Sequence, residues 1–242
     1  MTRAASRAAP EAGAPAGARD APTNPSAVRH RAPLVTRREV ARDTWWLEFE
    51  SPLIAERSRP GQFVMFGIGL DAPSSWLLPR PFSVGWRSAD GRVGFLLRTF
   101  GEGTRRLAAL DHGDHALLLG PLGRPFRFDA GRAVECVAGG VGLAPFLFLA
   151  AEEAAAGRRV RLLYGERSAD LHFDPALLGE LTSHEAEVFT DDGSAGRRGV
   201  VTTGLDPGGD SLLLGCGPTP MLRALARFAA TYGRDLQVSV EE

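Results

Sequence analysis

The chain has 242 residues, enough for one large domain or for two domains that each bury a core of their own. Its formal net charge of -1 excludes the strongly basic surface used to bind nucleic acid, and no run reaches the roughly 18 apolar residues of a membrane span. Without a secretory signal in the sequence, we expect a cytoplasmic protein that binds neither nucleic acid nor membrane.

Residues 1–31 form a segment rich in Ala, Pro, Arg and Gly, with almost no large apolar side chain. Such a segment buries too little apolar surface to offset the entropy lost on ordering, so it is predicted to be a disordered tail. Its Arg and Ser content leaves a transit peptide as the alternative.

Residues 32–130 alternate short β-rich runs with Gly, Pro and Asp turns, which is typical of a small antiparallel barrel. One short helix is predicted at Thr104–Leu110. The predicted strands of this half are Leu34–Val40, Thr44–Glu50, Gln62–Ile68, Pro81–Trp86, Val93–Thr99 and His115–Leu119.

Residues 131–242 alternate strands with helices, a pattern that predicts a parallel, doubly wound sheet. One helix is predicted from the glycines at 139–142 to Ala156 and another at Pro218–Thr231. The predicted fold class is therefore a β-barrel plus an α/β domain: a small antiparallel Greek-key barrel followed by a doubly wound parallel sheet, with a natural ligand cleft between them. The predicted strands are Val134–Ala138, Val160–Tyr164, Ala186–Thr190, Ser211–Leu214 and Leu236–Val240.

Two motifs of the barrel half have the composition of a phosphate site. In Arg80-Pro81-Phe82-Ser83 the guanidinium offers a planar set of donors to a phosphate, although a structural salt bridge is the alternative role. Farther along, Phe100-Gly101-Glu102-Gly103-Thr104 opens a helix, where amides and the Thr104 hydroxyl favour an anion. The alternative here is an ordinary helix capped by Thr104. Together the two motifs favour the pyrophosphate of a flavin dinucleotide.

Two glycine-rich turns of the second half follow predicted strands and open helices. Gly139-Gly140-Val141-Gly142 and Gly215-Cys216-Gly217 are both expected at the carboxyl ends of parallel strands, where a dinucleotide would bind. Neither is the Gly-x-Gly-x-x-Gly fingerprint, and close packing alone also uses glycine. Cys216 is interpreted as a neighbour of the nicotinamide ring or as a small buried residue.

The order of these motifs resembles the ferredoxin–NADP reductase superfamily and, within it, the electron-transfer subunits of dihydroorotate dehydrogenase B. The resemblance covers residues 33–242, and the Thr-Asp-Asp-Gly-Ser segment points to these subunits within the superfamily. The matching motifs are Pro60-Gly61-Gln62-Phe63-Val64, Arg80-Pro81-Phe82-Ser83-Val84, Gly101-Glu102-Gly103-Thr104, Gly120-Pro121-Leu122-Gly123, Gly139-Gly140-Val141-Gly142-Leu143-Ala144-Pro145, Thr190-Asp191-Asp192-Gly193-Ser194 with Gly196 and Gly199, Cys216-Gly217-Pro218-Thr219-Pro220-Met221 and Gln237-Val238-Ser239-Val240-Glu241.

The resemblance implies a site for FAD on the barrel, residues 32–130, and a site for NAD(H) or NADP(H) on the α/β domain, residues 131–242. It implies that Ser83 and Cys216 flank the reacting rings as catalytic residues. It places Glu166-Arg167-Ser168 near the adenosine, where Glu166 would repel a 2′-phosphate that Arg167 could accept, and NAD is favoured. The implied cofactor-binding residues are Arg80, Pro81, Phe82, Ser83, Leu97, Arg98, Thr99, Gly103 and Thr104 for FAD, and Gly139, Gly140, Val141, Gly142, Cys216 and Gly217 for the nicotinamide dinucleotide.

The resemblance also implies an iron–sulfur cluster and a partner that carries FMN. In the family, the segment matching residues 239–242 continues into cysteines that ligate a [2Fe–2S] cluster. The 242 residues contain only Cys136 and Cys216, whereas a cluster normally takes four ligands, so no cluster is expected here, through truncation or loss. The implied partner is the FMN subunit of dihydroorotate dehydrogenase, in pyrimidine biosynthesis. The five His residues have no metal-ligand spacing and are expected to be solvated.

The predicted function is an NAD(P)H–flavin oxidoreductase of the ferredoxin reductase type that passes electrons to its partner. Hydride transfer between a nicotinamide and a flavin requires two aligned rings but no general acid–base pair. Two alternatives remain: a non-catalytic flavin- or nucleotide-binding subunit of a larger complex, and the reductase subunit of a hydrogenase- or transhydrogenase-type assembly.

Overall fold

A computed structural model describes residues 27–67, 79–182 and 186–240 of the chain. Its first half is a closed antiparallel barrel with the strand order β1-β2-β5-β4-β3-β6. Because β3, β4 and β5 are consecutive neighbours and β6 returns to pair with β3, these four strands form a Greek key. The strands are β1 (Val28–Ala41), β2 (Thr44–Glu50), β3 (Phe63–Gly67), β4 (Arg80–Arg87), β5 (Arg92–Arg98) and β6 (His115–Leu122).

The first strand begins earlier than the sequence predicts. β1 pairs with β6 from Val28 opposite Gly120 onward, so the predicted tail boundary at residue 31 is four residues too late. Backbone pairing orders these residues although their side chains bury little surface. The rest of the predicted tail, residues 1–26, lies outside the described residues, as does Ile68 at the end of a predicted strand.

Aromatic rings fill the barrel. Phe66 makes edge contacts with Phe49, Phe82 and Phe95 at centroid distances of 5.4, 5.2 and 4.7 Å. Two short helices lie in the connections, α1 (Pro52–Arg57) and α2 (Glu102–Ala108). The sequence predicted α2 two residues too late, and it did not predict α1, whose six residues are too few to establish a helical period.

The second half is a six-stranded parallel sheet with the order β10-β9-β8-β7-β11-β12. The chain runs outward from β7 to β10 and then returns to β11 on the other side of β7. The direction of the strand order therefore reverses between β7 and β11, and ligands of such sheets bind at this switch point. The strands are β7 (Val134–Gly139), β8 (Arg161–Glu166), β9 (Ala186–Thr190), β10 (Arg197–Arg198), β11 (Leu212–Cys216) and β12 (Leu236–Ser239).

Helices cover both faces of this sheet. The helices α3 (Ala144–Ala155) and α4 (Pro175–Thr182) share one apolar core with Cys136 and Ala138. On the opposite face, α5 (Thr219–Tyr232) packs on a core that includes Val137. The predicted combination of a barrel and a doubly wound sheet is confirmed, whereas α4 and β10 were not predicted. In the described ranges no helix combines the length and the apolar content that a membrane crossing requires.

The barrel and the sheet are joined by apolar packing and by ion pairs. Phe148 of α3 belongs to the barrel core, and Trp46 of β2 belongs to the core beneath the sheet. Arg87 of β4 forms a two-pronged pair with Glu152 of α3, with both N–O distances 3.0 Å. The predicted domain boundary, at residues 130 and 131, falls in the connection between β6 and β7.

Candidate functional site

Arg80 and Gly103, which belong to different motifs, lie against each other. A Cβ placed on Gly103 would lie 2.3 Å from Cζ of Arg80 and 2.4 Å from its Nη1. Gly103 is in the first turn of α2, where backbone amides have no acceptor inside the helix. The guanidinium and these amides therefore share one surface, and this combination suits a phosphate group.

Thr104 closes the turn that precedes α2. Its hydroxyl accepts hydrogen bonds from the amides of Phe100 and Gly101, at 2.9 and 3.1 Å, and donates one to the carbonyl of Gly101 at 3.0 Å. Gly101 is the N-cap residue and Thr104 is the third helical residue. Its hydroxyl accepts from the N-cap amide as in a capping box, so the alternative of a helix capped by Thr104 is correct in this form. The hydroxyl is therefore used in shaping the loop.

The other barrel residues predicted to bind a flavin lie along β4 and β5. Ser83 is buried and faces Phe63 of β3 in register, and Phe82 packs edge-on against Phe66. Leu97 points into the barrel core, so only its backbone remains for a cofactor. Thr99 donates its amide hydrogen to the carbonyl of Asp43 at 2.9 Å.

The two glycine-rich turns of the sheet contact each other at the switch point. A Cβ on Gly142 would lie 2.4 Å from the carbonyl oxygen of Cys216, and one on Gly217 would lie 2.9 Å from the nitrogen of Gly139. The packing explanation of these glycines is therefore correct for Gly142 and Gly217. Gly140 differs because close packing does not require a glycine there: the nearest neighbour of a Cβ would be 3.8 Å away. Its φ of +59° instead lies in the left-handed region that favours glycine.

Arg98 and Glu166 form a buried ion pair between the barrel and the sheet. Nη2 of Arg98 lies 2.6 Å from Oε1 of Glu166, and the two side chains are only 10% and 3% exposed. The carboxylate of Glu166 points toward Arg98 of the barrel, and the expected position of Glu166 near an adenosine stays a prediction. The guanidinium of Arg98, which is predicted to line FAD, forms this pair with Glu166. Sequence order could not reveal a pair separated by 68 positions.

Tyr164 and His172 extend this polar cluster. The Tyr164 hydroxyl donates to Oε1 of Glu166 at 3.0 Å, and burial together with the nearby Glu166 carboxylate raises the pKa of Tyr164. The His172 ring lies 4.8 Å from the Tyr164 ring, and its Nε2 is buried with no hydrogen-bond partner. Burial lowers the pKa of His172, so the prediction that every histidine is solvated is wrong at this residue.

Cys136 and Cys216 are both buried at the centre of the sheet and are not joined by a disulfide. Burial raises the pKa of the Cys136 thiol far above its usual range, and the carboxylates of Glu135 and Glu153 raise it further. Within residues 27–67, 79–182 and 186–240, no group of His, Cys, Asp and Glu side chains is arranged to hold a metal ion.

A cleft of about 480 Å³ lies between the barrel and the end of β12, and none of the predicted site residues lines it. Gln237 closes one side of the cleft by accepting a hydrogen bond from the amide of Arg127 at 3.0 Å. Sequence reasoning assigned no role to this region, although three of the family motifs meet there. The lining residues are Gly61, Phe63, residues 123–127 and residues 237–240.

Comparisons with known proteins agree with this architecture. The electron-transfer subunit of dihydroorotate dehydrogenase B (NAD(+)) from Caldanaerobacter subterraneus subsp. tengcongensis is 33% identical over 214 residues, which are 88% of this chain and 81% of that protein. The corresponding subunit of Geobacillus thermodenitrificans is 36% identical over 222 residues, with 88% and 83% covered. No protein-family model matches the chain.

The solved structure of an NADH-dependent reduced ferredoxin–NADP oxidoreductase matches with a TM-score of 0.75 and 28% identity, over 87% of this chain and 76% of that one. Fold and relatives together define a flavin-dependent oxidoreductase of the ferredoxin reductase type. The shared sequence extends over most of the length of both relatives. The chain belongs to the family of dihydroorotate dehydrogenase B electron-transfer subunits.

Proposed function

We propose that this chain binds FAD on its barrel and NAD(H) on its sheet, and that it relays electrons between them. The observation that carries the proposal is the pair of anion-suited surfaces, one at Arg80 and Gly103 and the other at Gly140 on the switch point. A bound FAD would exchange a hydride with the nicotinamide ring. The protein's own task is to hold both ligands and to exclude water.

The residues proposed for FAD are those predicted from the sequence, except that the side chains of Leu97 and Arg98 have smaller roles. Arg80 would bind the pyrophosphate, and Ser83 would lie beside the flavin ring with Pro81 and Phe82. Leu97 would contribute backbone only, because its side chain fills the barrel core. Arg98 would act on the nicotinamide dinucleotide, because its guanidinium pairs with Glu166 of the sheet.

On the sheet, the turn at residues 139–142 would receive the dinucleotide pyrophosphate, and Cys216 with Gly217 would lie at the nicotinamide end. NAD is proposed in preference to NADP because the names of both relatives specify NAD(+). Calorimetric titration with NAD+ and NADP+ would test this choice. Tighter binding of NADP+ would contradict it.

We infer that the partner is the catalytic subunit of a dihydroorotate dehydrogenase that carries FMN, acting in the cytoplasm in pyrimidine biosynthesis. The names of the relatives support this partner. We further propose that these 242 residues hold no [2Fe–2S] cluster, because their two cysteines are too few to ligate one. Co-expression with the catalytic subunit, followed by iron analysis of the complex and an assay of dihydroorotate-dependent NAD+ reduction, tests both statements.

A second candidate is the reductase subunit of a transhydrogenase-type assembly, which the likeness to the NADH-dependent reduced ferredoxin–NADP oxidoreductase favours. Co-purification of the chain with a dihydroorotate-oxidising subunit would exclude this candidate.

The first experiment is an absorbance spectrum of the purified protein before and after anaerobic addition of NADH. We expect a flavin spectrum that bleaches. A bound flavin that stays oxidised would instead support a non-catalytic binding subunit. A colourless protein that FAD cannot reconstitute would refute the flavin site.

A further inference from the structure

We propose that Arg98, a barrel residue, is a positioning residue for the nicotinamide dinucleotide, because it neutralises Glu166 beneath the Gly140 turn. The inference rests on the proposed function of that turn. It means that a side chain of the barrel, the half proposed to bind FAD, raises the affinity of the sheet for the nicotinamide dinucleotide.

The ion pair lies directly against the turn. β7 and β8 are neighbours, with Gly139 opposite Gly165, so the turn after β7 passes over the end of β8 where Glu166 lies. A Cβ on Gly140 would lie 3.8 Å from Nη1 of Arg98 and 3.9 Å from Oε1 of Glu166. These are ordinary contact distances, so both charged groups border the backbone that would receive the dinucleotide.

Several hydrogen bonds fix the Arg98 guanidinium in this place. Its Nε donates to Oγ1 of Thr44 at 2.9 Å, and its Nη2 donates to the carbonyl of Leu171 at 3.2 Å as well as to Glu166. These partners come from β2, from β8 and from the loop after β8, so the guanidinium joins the barrel to the sheet at one point. A fully hydrogen-bonded network of this kind holds the guanidinium in one position.

The charge of Glu166 explains why Arg98 matters for an anionic ligand. A carboxylate that is 3% exposed is poorly screened by water, and it would repel a pyrophosphate bound at the adjacent turn. Arg98 cancels this repulsion. Removing one member of a buried pair leaves the other charge uncompensated, which is more damaging than removing both. The other titratable groups near Glu166 are Tyr164 on its own strand and His172 from the loop after β8.

The test measures the dissociation constant for NAD+ by calorimetry on the FAD-loaded protein, with flavin absorbance recorded separately. Arg98→Met is expected to weaken NAD+ binding about tenfold or more at pH 8 while FAD stays bound. In the double variant Arg98→Met/Glu166→Gln, affinity should return to about that of the wild type.

The matched control is Arg87→Met, which removes another arginine that joins the barrel to the sheet, at a place away from the turn. Wild-type affinity in Arg98→Met would overturn the inference. An equal loss in Arg87→Met, or no recovery in the double variant, would also overturn it by indicating a merely structural contact.

Glu166→Gln alone keeps the inference testable if Arg98→Met does not fold. The Gln amide oxygen can still accept from Nη2 of Arg98 and from Tyr164, although its nitrogen cannot accept from Nη1 of Arg98. The variant removes the negative charge and should bind NAD+ at least as tightly as the wild type; a tenfold loss would contradict the inference. Absence of NAD+ binding by the wild type is a different result, since it would refute the proposed function itself.

Discussion

The guanidinium of Arg80 lies over the backbone of Gly103, with only 2.3 Å between its Cζ and the position that a Cβ on Gly103 would occupy. A side chain at residue 103 would therefore fill the place of the guanidinium. The start of a barrel strand and the start of a helix meet here, and each supplies donors that the other lacks. This contact explains why a glycine is needed at the start of α2.

Replacing Arg80 with Ala should weaken FAD binding. The lost charge-assisted contact corresponds to about 1.5–3 kcal/mol, or roughly ten- to a hundredfold in the dissociation constant. Flavin release on dilution measures the effect. Arg105→Ala is the control, since Arg105 is an exposed arginine of α2, the helix whose start Arg80 contacts. Full flavin occupancy of Arg80→Ala at dilution would show that the assignment is wrong.

Gly103→Ala should lower FAD affinity without destabilising the protein. The new methyl group displaces the flexible Arg80 guanidinium, whereas alanine itself favours the helix by about 1 kcal/mol over glycine. Gly101→Ala is the control, because a Cβ there would have no neighbour within 4 Å. Thermal unfolding and flavin titration separate the two effects, and equal flavin affinities of the two variants would count against this account.

Gly142→Ala should impair the nicotinamide site. Its Cβ would lie 2.4 Å from the Cys216 carbonyl oxygen and 2.7 Å from the Gly217 nitrogen, and these backbone atoms cannot move without shifting the turn. We expect a loss of roughly 1–3 kcal/mol in stability together with weaker NAD+ binding. In Gly179→Ala, where a Cβ would meet open space, neither quantity should fall. Unchanged NAD+ affinity in Gly142→Ala would contradict the contact between the turns.

Arg234→Met should be strongly destabilising. Nη2 of Arg234 lies 3.4 Å from Glu135, with side-chain exposures of 3% and 4%, and it also donates to the Ser211 carbonyl at 2.8 Å. Because Arg161 still pairs with Glu135, the loss comes mainly from buried acceptors such as the Ser211 carbonyl, at about 1–3 kcal/mol for each acceptor left unpaired. Arg132→Met, which breaks an exposed pair with Asp235, should cost at most about 1 kcal/mol. Urea unfolding compares the two, and similar losses would contradict the prediction.

His172 should make the protein less stable in mild acid. Burial lowers the pKa of His172 below the ordinary value of 6.5 for histidine, so between these two pKa values the unfolded chain binds the proton and the folded chain does not. Stability is therefore unaffected above the unfolded pKa and falls as pH drops below it. His172→Gln should flatten this dependence, whereas the exposed His112→Gln should leave it unchanged. Urea midpoints measured from pH 7.5 to 5.5 give the comparison.

Local sequence patterns were sufficient for most of the elements. The strands Thr44–Glu50 and Ala186–Thr190 occur with the predicted bounds, because a run of residues that favour β structure, bounded by turn residues, specifies a strand locally. α1, α4 and β10 were not predicted, since short segments contain too few residues to show a helical or strand-like repeat of apolar side chains. The start of β1 depends on a partner strand far along the chain, so its own residues could not reveal it.

For the site, the sequence by itself determined which residue types were present: an arginine and a glycine-rich helix start on the barrel, and two glycine-rich turns after parallel strands. These motifs are local, and backbone conformation limits which residues can form them. Only the tertiary structure decided which residues meet. Arg80 lies against Gly103 because the folding of the barrel half brings the start of β4 next to the start of α2. Arg98 pairs with Glu166 because the barrel packs on the sheet and brings together groups that are far apart in the chain.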